Sequence, residues 1–166
     1  PMTSKIYSLL PWILRLNSTV LQKLEFMDID KLNKDFAEIA DKINELDELA
    51  YSDERYDDLE EELHDLEDDF IDEFGDYLEK AIAEVHEEFC PDNDVLLPIA
   101  YFAKNYIRNQ KDNQGRYSYD IEFGEGVPVT VKQFGDQEVK LVLVPGPTRL
   151  IVTVGETAKH VAWRAK

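Results

Sequence analysis

A chain of 166 residues, 43% of them hydrophobic, is long enough for one packed domain, and this composition excludes wholesale disorder. A formal net charge of −18 works against direct binding of nucleic acid or of an anionic membrane surface, so a partner recognised electrostatically should offer a basic protein surface. The single cysteine, Cys90, excludes an intrachain disulfide and suits a reducing compartment.

The acidity is local. Residues 1–27 sum to +2, residues 28–94 to −23 and residues 95–166 to +3. The first stretch reads as an apolar N-terminal helix or extension ahead of a single domain over 28–166. Within 5–26, Ile6, Leu9, Leu10, Ile13, Leu14, Leu16, Val20, Leu21 and Leu24 largely fit a helical stripe, with Pro11 near its start. Such a helix either covers part of the core or docks on a partner or a membrane interface. The apolar run from Ile6 to Leu14 is broken by Pro11 and is not followed by a small-residue cleavage site. No stretch reaches the roughly 18 apolar residues of a spanning helix. The expected location is therefore cytoplasmic.

Leu32, Phe36, Ile39, Ile43, Leu46 and Ala50 alternate at spacings of four and three, which predicts a helix over 30–50 with a packed seam and Asp28 or Asp30 as its cap. Tyr51-Ser52-Asp53 breaks that pattern, and Ser52 or Asp53 can cap a second helix over 54–89. Its stripe is Leu59, Leu63, Leu66, Phe70, Phe74, Leu78, Ala81, Ile82, Val85 and Phe89, with a bend or stutter expected near Gly75. The short connection makes the two an antiparallel hairpin. Cys90-Pro91 ends the second helix. Asp94 then caps an expected shorter helix over 95–108, with Val95, Ile99, Phe102, Ala103 and Tyr106 inside. That completes a helical part over 28–110.

From Tyr117 the period changes to two, opening a β part over 116–165. Tyr117, Tyr119, Ile121 and Phe123 alternate with polar residues, as do Val127, Val129 and Val131, and Gly124-Glu125-Gly126 between them reads as a hairpin turn. Glycine and proline punctuate three more strands near 138–144, 148–154 and 158–164. The fold class is α+β: an N-terminal helix, an acidic antiparallel helical hairpin, a shorter helix and a five-stranded antiparallel β-meander. Val139–Val144 and Leu150–Val154 are apolar on both faces, so they are central strands with two covers. The helices supply one. The other face, with Val142, Val144 and Ile151, is covered by the N-terminal helix or is itself a binding surface.

Candidate chemistry is sparse. Asp58, Glu61, Asp65, Asp68 and Asp72 follow at three or four residues, so carboxylates stand one turn apart on a ridge opposite the seam. Like charges at that spacing cost about 0.2–0.5 kcal/mol per pair. The ridge is either a solvated face or a docking surface for a basic partner. Glu61-Glu62-Leu63-His64 holds one Glu-x-x-His, where a di-metal bundle needs two copies. A calcium loop aligned on Gly115 would need oxygen ligands at Gln110 and Ile121 and fails. Acidic neighbours should suppress the Cys90 thiolate. No nucleophile elbow or phosphate loop occurs. No catalytic residue, cofactor or metal ligand is expected.

The expected function is a non-enzymatic acidic interaction module of inhibitor, immunity or adaptor type, presenting Asp58, Glu61, Asp65, Asp68 and Asp72 to a basic protein. The alternative is an enzyme or small-ligand binder with a pocket between sheet and helices lined by Tyr101, Tyr117, Tyr119 and Trp163. Apolar seams also pair between chains, which leaves a homodimer open.

Overall fold

The computed structural model describes residues 27–166, so the expected helix over 5–26, in either reading, lies outside the described residues. Helix α1 is Ile29–Glu48 and helix α2 is Tyr56–Phe89. Asp28 caps α1 through its side chain, which accepts the Lys31 backbone N–H at 2.9 Å. Leu32, Phe36 and Ile39 are fully buried, Ile43 and Leu46 partly so, and Ala50 lies exposed beyond the helix end. On α2 the expected stripe is buried from Leu59 to Val85, with Leu66 and Phe89 at its margins. The helices run antiparallel: Lys31 pairs with Glu73 and Lys42 with Glu62, so the chain ascends one helix as it descends the other.

The cap of α2 differs from expectation. Arg55 occupies the N-cap position and makes no side-chain cap bond. Asp53 instead turns back on its own loop, where Oδ1 accepts the Arg55 backbone N–H at 2.9 Å. Past its middle α2 runs through Gly75, which is buried, as one continuous helix.

The expected helix over 95–108 does not form. Pro98–Tyr101 makes one 3₁₀ turn, and Leu97 before it is extended at φ −65° and ψ 149°. Val95, Leu96 and Ile99 are exposed, and Leu97 is 71% exposed, so the expected inner face points partly to water. Two buried tyrosines compete with the helix for its backbone. The Tyr101 hydroxyl accepts the Leu96 N–H, and the Tyr106 hydroxyl accepts the Ala103 N–H. Asn44 of α1 then brackets Tyr106, accepting its N–H and donating to its carbonyl, both at 2.8 Å. These tertiary bonds satisfy the backbone without helical ones.

The meander has four strands, not five. Strands β3 (Val127–Val129), β4 (Val139–Val144), β5 (Arg149–Val154) and β6 (Ala158–Arg164) lie in that order, all antiparallel. The stretch expected as the first meander strand contributes only β2 (Tyr119–Asp120), which pairs with β1 (Ile107–Arg108) in a separate ladder. Gly124-Glu125-Gly126 therefore does not join two paired strands.

The chain from Tyr119 to Gly126 crosses the outer face of the sheet as a strap. Arg149 Nη2 donates to the Tyr119 carbonyl, Lys159 Nζ to the Ile121 carbonyl and Lys140 Nζ to the Gly124 carbonyl. Lys159 also lies over the Phe123 ring. Ile121 is completely buried, and so are Val142 and Val144. Gly126 (φ +96°) lets the strap come against β4, because a Cβ there would run into the Leu141 carbonyl and the Val142 side chain. Alternation along Tyr119 and Ile121 thus marks an extended chain with one buried side, not the strand it pairs with. The helices take the inner face, where Tyr77 of α2 meets Trp163 of β6 edge-on. Phe36, Phe70, Phe102 and Tyr106 join α1 and α2 to the C-terminal half of β4, beyond its pairing with β3, where Phe102 bridges Leu143.

Candidate interaction surface

Helix α2 carries sixteen acidic residues and one lysine. Packing sorts them. Asp58, Glu61, Asp65, Asp68 and Asp72 are all exposed. At 100° per residue they fall within roughly 80° of the helix circumference, opposite the buried stripe. Among the described residues none of the five has a basic side chain within 4 Å, and of the other eleven acids on α2 only Glu62, Glu67 and Glu73 do. Glu62 meets Lys42, Glu73 meets Lys31, and Glu67 meets His64. The small hollow between the helices, about 190 Å³, likewise holds Lys31 against Asp35 and Glu73. So α1 answers two of the acids on the side of α2 that faces it, and the outer ridge is uncompensated along with most of the other acids on the helix.

Glu67 is the flank acid that pays for burial. Desolvation raises its pKa, and the neighbouring His64 only partly opposes that shift. His64 itself is exposed, with Glu67 beside it. No group of three or more His, Cys, Asp or Glu is placed to hold a metal ion among the described residues. Asp112, in the rejected calcium loop, accepts the backbone N–H groups of Gln114 and Arg116, and those bonds lower its pKa. Cys90 is buried, and burial alone raises its thiol pKa, so the expected cause, its acidic neighbours, is not the operative one.

The four aromatics expected to line a pocket do not converge on one. Tyr101 and Tyr119 are core residues at 0% and 1% exposure. Tyr101 bonds His86, and the Tyr119 hydroxyl donates to Asp41 of α1 at 2.8 Å. Burial, with that carboxylate, raises the Tyr119 pKa. Trp163 packs on Tyr77, and Tyr117 lies at the surface beneath Arg108 and Lys111. Tyr101, Tyr119 and Trp163 are thus packed by neighbours, and Tyr117 is a surface residue.

A groove of about 390 Å³ does exist, on the outer face of the sheet beside the strap. Arg149, Lys159, His160 and Arg164 line it, with Ile151 and Val161 among its apolar walls. Tyr119 is the only one of the four aromatics to reach it. Sequence reasoning missed this groove because Arg149 and Arg164 lie 15 residues apart and only the β5–β6 register brings them together. It also missed His86, which is buried on α2: its Nε2 lies 2.8 Å from the Tyr101 hydroxyl and its Nδ1 3.1 Å from the Asn93 carbonyl. The 3.6-residue period of the stripe carried the only hint. No helix among the described residues is long and apolar enough to cross a membrane. Comparison with family models, with curated proteins and with solved structures finds no match.

Proposed function

We propose that the chain is a non-enzymatic interaction module of inhibitor, immunity or adaptor type, acting in the cytoplasm, whose α2 ridge receives a basic protein surface. One observation carries this reading: Asp58, Glu61, Asp65, Asp68 and Asp72 stand exposed on one ridge, without a basic neighbour within 4 Å among the described residues. Adjacent carboxylates there repel at about 0.2–0.5 kcal/mol per pair. A row of lysines or arginines on a partner relieves that repulsion and steers encounter from a distance. The packing around Tyr101, Tyr119 and Trp163 weighs against catalysis between sheet and helices.

The test uses the variant E61K/D65K/D68K/D72K in low-salt affinity capture from native lysate. A partner held by the wild-type chain should be lost from the variant, with recovery down at least tenfold. Zero-length carboxyl–amine cross-linking of the wild-type complex should join partner lysines to the five ridge acids. Unchanged capture, or cross-links that avoid the ridge, refutes the proposal.

A further inference from the structure

The outer face of the sheet carries charge of the opposite sign. Arg149 and Arg164 are directly paired across β5 and β6, so their side chains leave the sheet on the same face. Like charges in that position destabilise a sheet. Among the described residues the arginines within 4 Å of a carboxylate are Arg55, Arg108 and Arg116, not these two. Lys159 in the same groove is answered by Asp120 at 3.5 Å. Asp120 also lines the groove and acts on Arg149 from beyond ion-pair distance, so the repulsion between Arg149 and Arg164 is only partly quenched.

We propose that the groove binds a phosphate-bearing small molecule, with its oxyanion between Arg149 and Arg164 and the rest of it against Ile151 and Val161. Arg149 spends three of its five N–H groups on the carbonyls of Pro145, Pro147 and Tyr119, which fixes the guanidinium and leaves two donors. Arg164 is exposed, and among the described residues no carboxylate lies within 4 Å of it. A tetrahedral dianion can meet two guanidiniums at once, while a single carboxylate matches one. Ser118 Oγ accepts from Asn109, so its hydroxyl proton is free to donate into the groove. Val161 is 51% exposed and Ile151 nearly buried, which gives the non-phosphate part of the ligand an apolar bed. A volume of about 390 Å³ suits a small molecule.

Inorganic pyrophosphate is the probe, titrated by calorimetry and by amide NMR against the full chain. Saturable one-to-one binding is expected, with shifts at Ser118, Ile151 and Val161. Arg164→Gln should weaken it at least tenfold with an otherwise unchanged spectrum. Lys132→Glu, an exposed charge change outside the groove, should alter it less than twofold. Absence of saturable binding overturns the proposal, as does equal weakening by both variants. Citrate binding as tightly as pyrophosphate overturns the phosphate assignment.

Discussion

The outer ridge of α2 and the outer face of the sheet are both densely charged, yet the charges sit in different physical settings. On α2 the carboxylates of Asp58, Glu61, Asp65, Asp68 and Asp72 point to water, and the apolar stripe behind them holds the helix in place. On the sheet Arg149, Lys140 and Lys159 reach the backbone carbonyls of a crossing strap. There the cations fasten one layer of the fold to another. A charged residue is expendable to stability where its opposite face is packed and its head is solvated. It is structural where its donors complete buried backbone acceptors.

Substitutions should separate the two settings. The largest effect is expected at Arg149→Met, which removes donors to three carbonyls; a loss of about 3 kcal/mol follows if each bond contributes about 1 kcal/mol. Thermal unfolding should then fall by roughly 6–12 °C, and the Ile121 amide should exchange faster. Next comes Asn44→Ala, which strips both partners from the Tyr106 backbone. A cost of about 2 kcal/mol lowers Tm by roughly 4–8 °C. Reversal of the four ridge acids should move Tm by less than about 2 °C, upward at low salt, because like-charge repulsion is relieved. A fall as large as that of Arg149→Met would erase the contrast.

The smallest effect is a pH-dependent one at Glu67. Burial raises its folded pKa above the unfolded value, so its contribution to stability is complete below the unfolded pKa and is lost as pH rises through the folded one. Glu67→Gln should therefore raise Tm at pH 7 by about 1–2 °C. The gain should disappear as the pH drops below about 4. A gain that grows on acidification contradicts the assignment.

Long periodic segments were legible in the sequence. Helices α1 and α2 follow hydrophobic spacing, because in each the buried side repeats over many residues; β4 and β5 read as continuous apolar runs, and β6 followed from the turn residues before it. The solvent-facing placement of the ridge followed from the same stripe. Residues 95–126 were not legible, whereas the strand expected from Val127 forms as β3. In and beside that stretch the backbone is satisfied by individual side chains from remote positions: Asn44 holds Tyr106, and Asn93 donates to and accepts from Thr130. Tyr119 and Ile121 alternate as a strand does, yet they lie across the sheet instead of within it. Periodicity reports which side of a chain is buried and is silent on what covers it. The groove needs the β5–β6 register, which no local pattern encodes.

The most direct measurement is the salt concentration that releases a captured partner from wild-type chain and from E61K/D65K/D68K/D72K, both verified as folded by circular dichroism. Release from wild type at a defined moderate salt, with little or nothing retained by the variant, is the predicted result. Identical elution profiles from two equally folded proteins would mean that the carboxylate ridge contacts nothing but water.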